Sequence, residues 1–418
     1  MSLPKLQALL IDLATRIQSP EFLVAARHPD HPTAFTRRRK LPLVSLVVLM
    51  ISGMRKSIQA ELDEFFAHLQ KQAHLVRRVS EQGFAKARVK LSLTAIPELN
   101  DWLIQRADHY GFIPRWRELR LVAADASTMR FGLRASHVSR AALVDQILFG
   151  LYLPGAELML ATSLHSVRGR GERQMLFENL HHLSKSDLLL LDRGYPASWL
   201  VAVLNQLHIS FCMRVDNSGF KCVRTFLRSG LPEAIVALPP PNRRDALDYE
   251  VSRERQMVRL VRNVSPAGDI RILMTNLVDT AKFPASCFGE LYHQRWSIEE
   301  AFKRLKHRLS LEHVSGLSQQ AVVQDVSAKV VCDNLQALTA LTAHGNSDLP
   351  ESARINRAYL HTALKPLLPV LLLCKKVGRL LKNLVELVAR KTYRHREGLS
   401  KPRKSVHKPH KPMTQKQC

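Results

Sequence analysis

Four consecutive leucines, Leu188–Leu191, sit between Asp187 and Asp192. A continuous apolar run this short has the pattern of a buried strand, and it has company. From Arg117 the chain breaks into short β-like runs, Leu119–Ala124, Gln146–Leu153 and Leu158–Leu164, with Pro154-Gly155 as a turn before the third. Glu172–Leu183 then reads as a helix, Pro196–Leu207 as another, and Ile209–Val215 as a further strand. Strands alternating with helices predict an α/β layer. Asp125 and Asp192 each follow directly on an apolar run, and the carboxyl edge of an open α/β sheet is where ligands gather. One strand-end carboxylate could as well serve a turn or a cap. Two of them become a candidate site only with further partners.

The flanks have a different pattern. Leu41–Gly53 is apolar, and Gln59–Leu69 is amphipathic with Leu62, Phe65, Phe66 and Leu69 at helical spacing. After Ser318 the chain turns helical again over Gln319–Ala343, Ser352–Leu364 and Leu367–Ala389. Between the flanks, Pro239-Pro240-Pro241 marks a loop, and Gln256–Val264 with Ile270–Leu277 patterns as a β-hairpin. The predicted order is a helical region over 1–115, a first core segment over 116–215 and a β-rich insertion over 216–282. The core is then completed over 283–345 and followed by a helical region over 346–389. Residues 390–418, rich in Lys and Arg with three prolines, predict a disordered basic tail.

Net charge narrows the partners. A chain of 418 residues carrying +26, with a pI near 10.3, favours a polyanion, and nucleic acid is the first candidate. The clusters Arg37-Arg38-Arg39-Lys40, Arg77-Arg78 and Lys86-Ala-Arg88-Val-Lys90 fit either a solvated face or phosphate contacts within a DNA-binding helical region. A membrane is the competitor, but the apolar run Leu41–Met54 falls short of the ~20 residues a span needs. The N-terminal helix carries Asp12 and lacks a clear cleavage site, so no secretory signal is expected. The six cysteines include no CxxC pair, which argues against a zinc knuckle or disulfide framework and for a reducing compartment. No GxxxxGK[ST] motif is present, so ATP is not implied.

Chemistry converges on Gly289–Leu309, which has no internal Gly or Pro and predicts one long helix. At about 100° per residue, Leu291, Ile298, Phe302, Leu305 and Leu309 form an apolar stripe. With Tyr292 at zero, Arg295 falls near −60°, Glu299 near −20°, Lys306 near −40° and Trp296 near +40°. A phenol, a guanidinium, a carboxylate and an ammonium in file suit a cation beside a phosphate chain. The same letters also suit surface ion pairs, because Arg295–Glu299 and Glu299–Lys303 are four apart. Asp125, Asp192 and Glu299 together would repel one another unless cations sat among them. Two Mg²⁺ ions about 3.5–4 Å apart satisfy that condition and serve in-line attack at phosphorus.

Tyr292-x₂-Arg295-x₃-Glu299-x₆-Lys306 resembles the Tyr-Arg-Glu-Lys signature of bacterial insertion-sequence transposases of the IS-four type. Leu191-Asp192-Arg193-Gly194-Tyr195 is similar to that family's second-Asp block, Ala124–Thr128 to its first, and Val79–Ser92 to a helical block upstream. The resemblance covers about residues 35–345. It implies a ribonuclease-H-like α/β catalytic core with a β-rich insertion, flanked by helical N- and C-terminal regions. Asp125, Asp192 and Glu299 would be the catalytic metal ligands for Mg²⁺, two ions with Mn²⁺ as a substitute. Tyr292, Arg295 and Lys306 would hold phosphates of the element's end, while Trp296 and Arg193 would be further DNA contacts. Terminal inverted repeats and target DNA would be the partners of a homodimer, in the cytoplasm on the bacterial nucleoid. Water attack, a hairpin and its resolution, and strand transfer by the 3′-hydroxyl would follow. The alternatives are a catalytically silent DNA-binding descendant and a general structure-selective nuclease on the same fold.

Overall fold

The computed structural model describes residues 2–37, 39–131, 141–169, 171–216, 219–264, 268–347, 349–374 and 377–394. The chain divides into two compact units, one from Met1–Phe112, Met129–Gln146 and Lys303–Cys418, the other from Ile113–Thr128 and Ile147–Phe302. The first unit opens with α1 (Leu3–Gln18), α2 (Pro20–Ala25), α3 (Leu43–Ile51), α4 (Ile58–Gln70), α5 (Glu81–Arg88) and α6 (Ala95–His109). Ser19, Ser57 and Ser80 cap α2, α4 and α5, each side chain accepting a backbone N–H from the first turn.

The second unit holds most of β1 (Arg120–Arg130) and β2 (Asp145–Leu153), then β3 (Leu158–Ser166), α7 (Glu172–Glu178), β4 (Asp187–Leu191), α8 (Ser198–Gln206) and β5 (Ser210–Val215). It continues through α9 (Lys221–Ser229), β6 (Glu233–Ala237), α10 (Arg243–Asp248), β7 (Met257–Val264), β8 (Ile270–Thr275), α11 (Phe288–His293) and the start of α12 (Ser297–Arg308). The strands form one sheet in the order β3-β2-β1-β4-β5-β8-β7-β6. β4 lies parallel to β1 and to β5, with Val122 opposite Leu189 and Leu189 opposite Phe211. Three sequential strands followed by two parallel crossovers make the expected ribonuclease-H-like core.

The leucine run is central because every residue of β4 is buried, as parallel strands covered on both faces require. Asp187, fully buried at its start, accepts Arg120 Nε at 2.6 Å and Arg120 Nη2 at 2.8 Å, which ties β1 to β4. The predicted hairpin is β7–β8, antiparallel from Arg259↔Thr275 to Val264↔Ile270. β8 also pairs antiparallel with β5, so the β-rich segment extends the core sheet.

Two local expectations change. β1 does not stop at Ala124 but runs on to Arg130, so Asp125 lies within a strand, just past the last β4 pairing at Ala123↔Leu190. Extended backbone needs no apolar letters, and the Asp-Ala-Ser-Thr stretch after Ala124 is only partly buried or exposed. Gly289–Leu309 is not one regular helix either: a 3₁₀ turn over Gln294–Trp296 separates α11 from α12. A 3₁₀ turn rotates about 120° per residue, so angles counted across it shift. The apolar stripe survives, with Leu291, Ile298, Phe302, Leu305 and Leu309 all buried.

The first unit closes with α13 (Gln319–Gly345), β9 (Ala353–Ile355), α14 (Arg357–Leu364), α15 (Leu368–Leu373), α16 (Gly378–Ala389) and β10 (Thr392–Arg394), which pairs with β9. α13 is buried almost all round and packs against α3, α6, α14 and α16. Several of its buried polar groups are paired internally, as burial demands. Asp325 accepts from Arg88 Nη2 at 2.9 Å, and Asp333 from Arg304 at 2.8 Å and Arg357 at 3.0 Å. Lys329 Nζ donates to the Ser310 carbonyl at 2.7 Å, and Asn334 to Asn100 Oδ1 at 2.7 Å. Arg88 is thus a core residue rather than a phosphate contact, and Arg77 is committed to Asp63 at 2.9 Å. Arg38 and residues 395–418, most of the expected basic tail, lie outside the described residues. Among the described residues no helix is long and apolar enough to cross a membrane.

Candidate active site

The second unit brings Asp125 on β1, Asp192 just after β4 and Glu299 in the first turn of α12 into one electrostatic neighbourhood. Arg295 is its hub. Its Nη2 donates to Glu299 Oε1 at 3.0 Å, its guanidinium lies 5.9 Å from the centre of the Tyr292 ring, and it is only 4% exposed. The Tyr292 hydroxyl faces Asp192 Oδ1 at 3.5 Å, and Asp192 Oδ1 also accepts the Arg193 N–H at 2.7 Å. Asp125 Oδ1 accepts the N–H of Ala126 at 2.9 Å.

Burial pushes the Asp125 carboxyl from 3.8 up to about 6, with Glu172 and Glu299 adding to the rise and the Ala126 N–H and Arg295 opposing it. Burial works against the Arg295 charge, yet Tyr292, Asp192, Glu299 and Asp125 outweigh it, so this guanidinium is held more firmly protonated than usual. Burial also raises the phenols of Tyr292 and Tyr195, which stay neutral. Two buried atoms of this neighbourhood have no hydrogen-bond partner, Tyr195 Oη and Arg295 Nε.

The expected residues divide into groups. Asp125, Asp192, Glu299, Tyr292 and Arg295 are brought together. Arg295 and Glu299 do form the i, i+4 ion pair, but their side chains are 5% and 19% exposed, so it is not a pair on a solvated face. Trp296 is 45% exposed and, with Asn263, Arg271 and His293, lines a cavity of about 240 Å³. Arg193 is exposed beside Asp192, and Tyr195 N donates to the Asp192 carbonyl at 3.2 Å, which closes a turn there. Lys306 falls in the first unit, where burial lowers its pKa against the opposing pull of Glu312. The sequence reading missed Glu172, the first residue of α7, which couples to both Asp125 and Asp192. No spacing rule flagged it, because only the crossover from β3 brings it near.

Among the described residues, no three acidic, His or Cys side chains stand close enough to hold an ion as they are. Glu299 is engaged by Arg295 and Asp192 by the Arg193 N–H. The donor set nevertheless fits a hard divalent cation, being all carboxylate oxygen. Tyr195 Oη, buried and without a partner, lies in the same neighbourhood. A cation there would compete with Arg295 for Glu299.

A carboxylate within β1, another just after β4 and a third on a later helix, on a ribonuclease-H-like sheet, define a class of DNA-processing domain. A family model described as "Transposase DDE domain" matches residues 118–335, and the chain belongs to that family. The expected IS-four type accords with a relative, "Transposase InsG for insertion sequence element IS4" of Escherichia coli (strain K12). It is 22% identical over 321 residues, covering 72% of this chain and 71% of that protein. Among solved structures, a cryo-EM structure of piggyBac transposase in a synaptic complex with hairpin DNA is similar at 10% identity and a TM-score of 0.42. That match covers 93% of this chain and 85% of the other. The protein is a DNA transposase.

Proposed function

We propose that this transposase cuts DNA at the terminal inverted repeats of its own element and joins the freed 3′ ends to target DNA, using Asp125, Asp192 and Glu299. The observation that carries this reading is the convergence of the three acids on the buried Arg295. A bound Mg²⁺ pair, or Mn²⁺ in its place, would supply Lewis acidity at the scissile phosphate and an activated water or 3′-hydroxyl. Asp125, Asp192 and Glu299 would hold it. Arg295 and Tyr292 are set to fix non-bridging phosphate oxygens, the guanidinium by charge-assisted hydrogen bonds and the neutral phenol as a donor. With Glu299 holding a cation, the Arg295 fork would be free for phosphate oxygens. Trp296, exposed and lining a cavity with Arg271 and His293, would stack on a base. Lys306 and Arg193 would add phosphate contacts, and two copies of the chain would pair the two ends.

The test is cleavage of a DNA fragment bearing the element's end in Mg²⁺. Glu299→Gln is expected to bind the end with near-normal affinity and to cut at background level. Undiminished cutting by that variant would remove Glu299 from the reaction.

A further inference from the structure

We infer that Glu172 is a fourth carboxylate of this site, and that it reaches a divalent cation from the α7 side together with Asp192. The inference rests on the metal-dependent reading above and adds a residue to it.

The geometry is local to the second unit. α7 begins at Glu172, and Arg173 Nε donates to the Gly194 carbonyl at 2.9 Å, which fixes the start of α7 against the turn after Asp192. Glu172 Oε2 then lies 3.5 Å from where a Cβ at Gly194 would stand, two residues beyond Asp192. A glutamate opening a helix is ordinary, since the helix dipole favours it, but the dipole gives no reason to lay the carboxylate over a turn that carries a second acid. Partial burial and the Asp192 charge both disfavour ionised Glu172. Asp125 also responds to Glu172, so the charge of this residue reaches both strand acids.

Independent evidence for a missing ligand comes from Tyr195. Its side chain is fully buried, its hydroxyl has no partner, and it lies within electrostatic reach of Glu172, Asp125, Asp192 and Arg295. Buried hydroxyls are nearly always satisfied. An orphan hydroxyl within electrostatic reach of three carboxylates indicates that the polar set is one member short. A hydrated divalent cation is the species that would satisfy both, its water accepting from or donating to the phenol while the carboxylates neutralise its charge.

The experiment uses the full chain stripped of metal, with Mn²⁺ as the probe followed by electron paramagnetic resonance. Glu172→Gln and Asp192→Asn are compared with the unaltered protein. Loss of an oxygen ligand is expected to weaken Mn²⁺ binding by roughly tenfold in Glu172→Gln and at least as much in Asp192→Asn. Glu172→Gln should melt no lower than the parent in chelator, because it removes a charge that burial and Asp192 both disfavour. Equal Mn²⁺ affinity in Glu172→Gln, with clear loss in Asp192→Asn, would overturn the role of Glu172 and leave the three-acid reading standing. No Mn²⁺ binding by the parent would overturn both. Should Glu172→Gln fail to fold, the parent loaded with Fe²⁺ and treated with ascorbate and peroxide decides. Backbone cuts at Gly171–Arg173 support the assignment, and cuts confined to the Asp125, Asp192 and Glu299 segments refute it.

Discussion

Asp125→Asn should stabilise the metal-free protein, and by an amount that pH controls. The Asp125 carboxyl sits near pKa 6 in the folded chain against 3.8 for the ordinary group. Below about pH 4 it is protonated in both folded and unfolded chains, so it adds no pH-dependent penalty. Between those values the unfolded chain ionises while the folded one holds its proton, and stability is lost as pH rises. Above pH 6 the whole penalty is present, about 3 kcal/mol for a shift of about two units. Asparagine keeps an oxygen for the Ala126 N–H at 2.9 Å and carries no charge. Urea unfolding in chelator at pH 7.5 should therefore show the variant more stable by up to about 3 kcal/mol. The gain should shrink toward zero at pH 4, where both side chains are neutral. Saturating Mn²⁺ should reverse the order, because binding to the folded state stabilises only a chain that keeps its ligand. A variant less stable than the parent at pH 7.5 in chelator, or a gain independent of pH, would refute the reasoning.

Three further outcomes follow. Asp333→Asn strips a charge from between Arg304 and Arg357 inside the helical unit, and unfolding should cost about 3–5 kcal/mol less; a loss under about 1 kcal/mol would show those guanidinia to be hydrated. Gly53→Ala puts a Cβ 2.7 Å from both Cys332 Sγ and His361 Cε1 at a backbone φ of +82°, so thermal unfolding should report a loss of at least about 1–2 kcal/mol, and an unchanged midpoint would contradict that packing. Binding to DNA, followed by fluorescence anisotropy, should fall with a log–log salt slope steeper than about −4; a flat response would deny that the +26 charge is used on phosphate.

The second unit was legible where apolar letters dictate local structure. Leu188–Leu191 is the strand it reads as, and the hairpin near Gln256–Leu277 was marked by its flanking turns. What escaped depends on contacts remote in the chain. Nothing at Asp125 itself reveals that β1 continues past it, since the extension carries no continuous apolar pattern. The 3₁₀ turn at Gln294–Trp296 has no Gly or Pro to announce it. Arg88 looks like its basic neighbours Lys86 and Lys90, and only the approach of Asp325, from a helix far along the chain, turns it into a core residue. In the site, the spacing of Tyr292, Arg295 and Glu299 was readable because one segment carries all three. Glu172 was not, because its place beside Asp192 depends on the crossover from β3.

The claim that Asp125, Asp192 and Glu299 form one cation pocket is most directly tested by Mn²⁺ anomalous scattering from crystals of the DNA-bound protein. The account predicts an anomalous peak with oxygens of all three side chains around it at about 2.1–2.3 Å. Peaks only elsewhere, with Glu299 still clasped by Arg295, would contradict it.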